Sequence, residues 1–189
     1  MESEKPLREI ELEAEDEKRL RGFQLLSAMP TLIVINAGED RAAEPPEAFG
    51  ITPRPAVRAV TVSAPIEQEI SALSPDEQKE FLADLGLAEP SLDRVTRASY
   101  DLLGVISFFT VGEDEVRAWT IRRGTHAREA AGSIHSDIER GFIRAEVVPC
   151  DDLIRLKTLA ACRDAGLLRL EGKEYVVKDG DVVHFRFNV

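Results

Sequence analysis

The sequence predicts a mixed α+β fold in two units, and three observations support this. Short β-branched apolar runs alternate with stretches of helical periodicity in the first half of the chain. Strand-type runs dominate from residue 105 onwards. Residues 1–104 carry 11 basic and 21 acidic side chains, a net charge of 11 − 21 = −10, whereas residues 105–189 carry 13 and 14, a net of −1. Because 189 residues can form two small domains, we predict one domain at 1–104 and another at 105–189.

The first unit is predicted to begin with a long helix and to contain a small parallel sheet. An apolar stripe near the 3.6-residue period predicts the helix over 7–28, which Pro30 ends. The β-branched run TLIVI at 31–35 is typical of a strand buried on both faces, and a second strand is predicted over 57–62. Three helices follow within residues 66–103, at 66–73, from the N-cap Ser74 to Leu85, and from Ser91 to Leu103.

The second unit reads as two strands, a helix, a strand, short helices and two final strands. The predicted strands are 105–111, 115–121, 142–148, 167–170, 175–177 and 182–187, and the main helix covers 126–139. This order within roughly 80 residues predicts a β-grasp fold, in which a mixed sheet packs on one helix.

Several function classes find no support in the sequence. The phosphate-binding pattern G-x-x-x-x-G-K-[ST] is absent from these residues, and the three histidines lie in different predicted elements. The net charge of −11 argues against broad binding to nucleic acid, which depends on Lys and Arg. No apolar run approaches the roughly 20 residues that span a membrane, and the first residues do not resemble a signal peptide. We therefore expect a cytoplasmic protein.

Two polar motifs directly follow the two predicted strands of the first unit. Asn36-Ala37-Gly38-Glu39 comes after the first strand, and Ser63-Ala64-Pro65-Ile66-Glu67 comes after the second. Ligands of open α/β sheets bind at the carboxyl ends of parallel strands. An Asn amide there could hold a purine edge and brace a neighbouring loop, while the Ser-Ala turn could offer a backbone N–H to the base. The alternative is a polar turn after a buried strand, with no ligand.

At this level of detail the sequence resembles the YchF / Obg-like ATPase family of P-loop proteins, over nearly its whole length. The strings that carry the resemblance are LRGFQ (20–24), NAGE (36–39), SAPIE (63–67), EFLADLG (80–86), EVRAWT (115–120), GFIRAEV (141–147) and DGDVVHFRFNV (179–189). The resemblance covers the end of a helical insertion, the base-recognition half of a G domain and a C-terminal TGS domain, which is a ubiquitin-like β-grasp module.

The resemblance implies a nucleotide site that prefers ATP to GTP and works with Mg²⁺ in the intact family. By position, Asn36 and Glu39 would read the base, and Ser63 and Ala64 would close the purine pocket. The family's P-loop, switch segments and catalytic histidine match nothing in this sequence. We therefore expect no catalytic or metal-binding residue here, no tight nucleotide binding and no hydrolysis by this chain alone, which leaves its status as an enzyme open.

The resemblance also implies a partner, because the intact family associates with ribosomes. A TGS domain with a net charge of −1 needs a local basic patch to bind ribosomal RNA or protein. The candidates for that patch are Arg117, Arg122, Arg123, Arg128, Arg140 and Arg144. The alternative is that these arginines are merely solvated and that Trp119 belongs to the core.

Two further readings remain open at this point. The chain could be a homodimer that pairs through the 7–28 helix or through strands 31–35 and 57–62, which would lack sheet neighbours if the rest of a G domain is absent. It could also be a stand-alone interaction module or dimerising scaffold with no nucleotide role.

Overall fold

The fold consists of two compact units that divide between Leu103 and Gly104. The computed structural model describes residues 5–52, 54–112 and 114–188. Helices and strands are present in both units, which confirms the predicted α+β class.

The first unit contains a two-stranded parallel sheet and, among its described residues, four α-helices. Strands β1 (Thr31–Asn36) and β2 (Val57–Val62) pair without a register shift, from Thr31 opposite Val57 to Asn36 opposite Val62. Its main helices are α2 (Ala64–Ala72), α3 (Pro75–Asp84) and α4 (Ser91–Leu103). A small core forms where Ala42, Ile66, Ile70, Leu82 and Leu87 meet. The predicted strands and the Ser74 cap are therefore confirmed, since Ser74 and Glu77 form a capping box at the start of α3.

The predicted helix over 7–28 is wrong in its length. Only α1 (Ala14–Leu20) is α-helical, and single 3₁₀ turns form at 7–9, 21–23 and 26–28. Gly22 weakens the helix and Gln24 adopts a left-handed φ of 49°. Phe23 and Leu26 are largely exposed, so the apolar stripe lacks the packing that would extend a short helix.

Strand β1 is not buried on both faces, which corrects the expectation from its apolar sequence. The side chain of Val34 is 49% exposed, and Asn36 at the end of the strand is exposed as well. Within the described residues β1 pairs only with β2. A β-branched apolar run therefore predicted the strand correctly but not the burial of its two faces.

The second unit is a five-stranded mixed sheet in the order β4-β3-β7-β5-β6. Its elements are β3 (Val105–Val111), β4 (Val116–Arg122), α5 (Ala127–Gly132), α6 (Ser136–Arg140), β5 (Phe142–Pro149), α7 (Cys150–Leu156), α8 (Leu159–Asp164), β6 (Arg169–Glu171) and β7 (Asp181–Phe187). The first and last of these strands, β3 and β7, are parallel neighbours in the middle of the sheet. One core cluster, centred on Phe108, includes alanines of α5, and a second contains Cys162 of α8.

Two predictions for the second unit need correction. The helix expected over 126–139 is two helices, because α5 stops at Gly132 and the ring of His135 caps α6 by accepting a hydrogen bond from the Asp137 N–H. Residues 175–177 form no strand, and only Val176 makes an isolated bridge, to His126. The side chain of Tyr175 instead hydrogen-bonds to Asp181.

Candidate functional site

The ends of β1 and β2 are joined by a side chain of the first polar motif. Asn36 ends β1, and its Oδ1 accepts a hydrogen bond from the Ala64 N–H at 3.1 Å. One residue further on, the Ala37 N–H donates to the Val62 carbonyl at 2.8 Å. Because the strands are parallel and in register, both polar motifs meet at the carboxyl edge of this small sheet. The structure thus brings Asn36 and Ala64 together.

The second motif contributes a buried hydroxyl rather than an open one. Ser63 is 1% exposed and precedes the first residue of α2, but its hydroxyl makes no hydrogen bond within the described residues. We expected a backbone N–H of this turn to donate a hydrogen bond to the base. The Ala64 N–H instead donates to Oδ1 of Asn36. Ser63 and Ala64 therefore lie at the edge of the candidate site. The side chain of Asn36 accepts the hydrogen bond from the backbone N–H that was expected to be available to the base.

Two polar groups of the first motif remain available. Glu39 begins a 3₁₀ turn over Glu39–Arg41 and is exposed. In the part of the chain that the structure describes, neither the Glu39 carboxylate nor the Asn36 side-chain nitrogen has a hydrogen-bonding partner, and no hydrogen bond links Glu39 to Asn36, Ser63 or Ala64. The loop therefore presents one amide donor and one carboxylate acceptor to solvent.

The loop after Glu39 is held by contacts that the sequence analysis missed. Arg41 donates to Glu44 at 2.6 Å, and its guanidinium lies 4.1 Å from the centre of the Phe49 ring. The hydrogen bond from Arg41 lowers the pKa of the Glu44 carboxyl. The spacing of three residues between Arg41 and Glu44 is a signal that could have revealed the pair.

The six arginines proposed as a basic patch do not lie on one element. Arg117 and Arg122 are on the edge strand β4, Arg123 follows that strand, Arg128 is on α5, Arg140 is on α6 and Arg144 is on β5. Two strands separate β4 from β5. Arg140 pairs with Asp137, and Arg128 donates to the Glu139 carbonyl.

Trp119 packs against the core, as the alternative reading of the sequence expected. Its ring packs on the Phe108 cluster and its Nε1 donates to the Thr110 hydroxyl at 2.9 Å. The Arg117 guanidinium covers the ring at 4.2 Å from its centre. Trp119 is therefore half-buried beneath an arginine.

Two arginines outside the predicted basic patch, Arg163 and Arg186, lie near Arg144, which belongs to that patch. Arg163 and Arg186 both donate to Oε1 of Glu146, at 3.3 and 2.5 Å. Arg186 also stands directly opposite Arg144 on the neighbouring strand. These residues come from α8, β7 and β5, so no local sequence motif could have grouped them.

The described residues offer no conventional metal centre and no membrane span. They contain no group of three or more His, Cys, Asp or Glu side chains placed to hold a metal ion. Among these same residues, no helix has the length and apolar character to cross a bilayer.

Comparison with known proteins places these features in a family context. Residues 105–188 match the family model YchF-GTPase_C, described as a protein of unknown function (DUF933). The chain is 48% identical to the "Ribosome-binding ATPase YchF" of Bacillus subtilis (strain 168), over 100% of this chain and 53% of that protein. It is 46% identical to the protein of the same name from Pasteurella multocida (strain Pm70), over 97% of this chain and 51% of that protein. The chain thus spans about half the length of the curated relatives that it matches.

A solved structure supports the same relationship. The Schizosaccharomyces pombe YchF GTPase is similar over 98% of this chain and 51% of that chain, with a TM-score of 0.77 and 31% identity. The resemblance inferred from the sequence strings is confirmed at this level. Sequence, family model and structure together match this chain to the C-terminal region of the YchF family.

Proposed function

We propose that this chain carries the base-reading part of a YchF-type ATP site in its first unit and a ribosome-binding surface in its second. The observation that carries the first part is the hydrogen bond from the Ala64 N–H to Asn36, which ties the carboxyl ends of two parallel strands together. This edge is where α/β sheets bind ligands. The related proteins from bacteria are named ribosome-binding ATPases, which supports the second part.

The two available groups of the Asn36–Glu39 loop fit an adenine base. The free Asn36 amide can donate to N7, an acceptor that adenine and guanine share. The Glu39 carboxylate can accept from the exocyclic N6–H₂ of adenine, whereas guanine presents the O6 acceptor at that position and repels a carboxylate. This pairing accounts for a preference for ATP over GTP.

The chain alone should bind nucleotide weakly and not hydrolyse it. Its sequence contains no G-x-x-x-x-G-K-[ST] loop, whose backbone amides and lysine hold the phosphates of ATP in P-loop proteins. The phosphates and Mg²⁺ supply most of the affinity and the chemistry in such sites. We assign no Mg²⁺ ligand to the described residues, which hold no suitable cluster.

We propose that the second unit is a TGS module, and the topology of its sheet supports this. Its first and last strands are parallel and central, and α5 packs against the sheet, as in a β-grasp fold. We propose that this unit binds the ribosome in the cytoplasm. The relatives are named ribosome-binding ATPases, which supports the ribosome as partner.

Nucleotide binding can be tested by NMR, which detects millimolar affinities. Titration of the ¹⁵N-labelled chain with ATP should shift the amide signals of residues 36–39 and 62–64 more than titration with GTP. Asn36→Ala should abolish these shifts because it removes both the amide donor and the brace to Ala64. Asn188→Ala, the other asparagine of the chain, is the matched control in the second unit. Absence of shifts in this loop would contradict the base-reading role, and micromolar affinity would contradict the need for a phosphate loop.

A dimerising scaffold is the second candidate, and the open strand β1 favours it. Val34 is half-exposed and, within the described residues, β1 has β2 as its one partner. Unpaired strand edges are ready templates for a second copy. Sedimentation equilibrium should then give twice the monomer mass of 20.9 kDa, and Val34→Lys should return the monomer. A monomer at high concentration would exclude this candidate.

A further inference from the structure

We infer that the exposed part of one face of the C-terminal sheet binds RNA through its phosphates, with Arg144, Arg163 and Arg186 as the contact residues. These three side chains define the arginine face. The inference rests on the proposed ribosome-binding function and deepens it, because it names both the surface and the chemistry of the partner.

The register of the sheet places these arginines on one side. Arg144 of β5 is the direct cross-strand partner of Arg186 of β7, and Glu146 is the partner of His184 in the same pair of strands. Residues two apart on a strand share a face, so all four side chains lie on one side of the sheet. Arg163 reaches the same side from α8, since it donates to Glu146 at 3.3 Å. Arg144, Arg163, His184 and Arg186 are all exposed.

Glu146 orders this cluster. Its side chain is only 11% exposed, and one of its oxygens accepts hydrogen bonds from both Arg163 and Arg186. A guanidinium has five N–H donors, so each arginine keeps donors for a ligand while its position is fixed. Binding then costs less side-chain entropy than it would with unrestrained arginines.

The local charge has the sign that RNA requires. Three arginines and one glutamate give the arginine face a net charge of +2, within a chain whose overall charge is −11. Because the rest of the protein repels phosphate, binding has to depend on this local surface rather than on the total charge.

The composition of the face favours RNA over a protein partner. Arg is enriched at protein–protein interfaces too, but their cores are also rich in aromatic side chains. Here the large aromatic residues of β7 point to the opposite side, where Phe185 packs against Phe108 and Phe142. The arginine face offers guanidinium forks, which match phosphate geometry, and the ring of His184.

Two double variants with the same charge change test the inference. Arg144→Gln with Arg186→Gln removes two arginines of the face and one ion pair, the one to Glu146. Arg58→Gln with Arg97→Gln removes two exposed arginines of the first unit and also one ion pair, the one to Glu89. Binding of the full chain is measured by co-sedimentation with purified ribosomes and by fluorescence anisotropy with a labelled single-stranded 20-nucleotide RNA.

The face variant should bind both probes on the order of tenfold more weakly, and the control should bind like the parent chain. The slope of the logarithm of the RNA-binding constant against the logarithm of the salt concentration should decrease in magnitude by about 1.4. Two phosphate contacts are lost, and each contributes about 0.7 on a single strand. Glu146→Gln keeps an oxygen that can accept from Arg163 and Arg186 while it raises the net charge of the face, so it should tighten RNA binding, a gain that loss of folding cannot mimic.

The remaining outcomes separate this inference from the proposed function. Ribosome binding that survives in the face variant would overturn the arginine face and leave the ribosome-binding function standing. Equal loss in both double variants would show general electrostatics and overturn the inference. Ribosome binding by the parent chain without RNA binding would assign the face to a protein partner instead. Failure of the parent chain to bind ribosomes would contradict both proposals.

Discussion

The two sheets of this chain differ in how completely they are covered. The five-stranded sheet of the second unit has a buried cluster on each face, one around Phe108 and one around Cys162. The two-stranded sheet of the first unit leaves Val34 half-exposed, and Leu92 on the neighbouring helix α4 is 68% exposed. A two-stranded sheet has little stability of its own without helices packed on it. The difference indicates that the second unit is the stable scaffold and that the first unit is stabilised by few apolar contacts.

The largest expected effect comes from the core of the second unit. Phe108 is fully buried, so Phe108→Ala should lower the free energy of unfolding of this unit by about 3–5 kcal/mol. The comparison variant is Leu92→Ala, which removes a largely exposed side chain from the first unit and should cost less than about 0.5 kcal/mol.

Separate probes distinguish the two units in these experiments. Trp119 is the single tryptophan of the chain, so its fluorescence follows urea unfolding of the second unit. Circular dichroism at 222 nm follows the helices, including α2, α3 and α4 of the first unit. A cost for Leu92→Ala as large as that for Phe108→Ala would contradict the contrast between the two cores.

An intermediate effect is expected at the hydrogen-bond network of Tyr175. Its hydroxyl donates to the buried Asp181 at 2.7 Å and accepts a hydrogen bond from Arg169 at 2.9 Å. Burial, with a smaller contribution from Asp181, raises the pKa of Tyr175 well above its usual range. Tyr175→Phe leaves Asp181 short of a donor and should cost about 1–3 kcal/mol in urea unfolding followed by Trp119.

Tyr100 provides the matched control for the hydroxyl deletion. It lies on α4, is partly exposed, and its hydroxyl has no hydrogen-bonding partner in the described residues. Tyr100→Phe should change the stability by less than about 0.5 kcal/mol. If both Tyr→Phe changes were neutral, the network around Asp181 would not stabilise the second unit.

The smallest expected effect is a pH dependence in the first unit. Hydrogen bonds from the Ser74 hydroxyl and then from the Ser74 N–H lower the pKa of Glu77. A carboxyl with a lowered pKa in the folded state contributes stability above its unfolded pKa of about 4.3, and loses it as the pH falls through the folded value. Thermal melts at 222 nm should therefore show Glu77→Gln less stable than the parent at pH 7, with the difference shrinking as the pH falls below the unfolded pKa of about 4.3. Glu80→Gln, an exposed carboxylate on the same helix, should show no such convergence.

Local patterns predicted most strands, because β-branched runs such as 31–35 and 105–111 favour extended backbone wherever they pack. The helix predicted over 7–28 does not form at that length, since a long helix there would need tertiary packing that Phe23 and Leu26 do not receive. Tyr175 was wrongly predicted to lie in a strand. Its side chain hydrogen-bonds to Asp181 across a turn, and the alternation of apolar and polar residues does not predict that contact.

In the candidate sites, too, local patterns could not predict contacts between residues far apart in sequence. Asn36 and Ala64 were predictable as a pair, because parallel strands bring their carboxyl ends together. The use of the Ala64 N–H by Asn36, and the convergence of Arg163 and Arg186 on Glu146, depend on contacts between elements far apart in sequence. The sequence analysis proposed arginines from residues 117–144, whereas the arginine face that we infer also depends on strand pairing and on contacts with Glu146.

The most direct test of the division between the two units is arginine modification of the whole chain in complex with ribosomes. Phenylglyoxal labels exposed guanidinium groups, and mass spectrometry then locates each labelled residue. Our account predicts that ribosomes protect Arg144, Arg163 and Arg186, while Arg128 of the same unit and Arg19 of the first unit stay reactive. Protection of Arg19 with Arg144, Arg163 and Arg186 still reactive would contradict the account, because the first unit would then hold the ribosome.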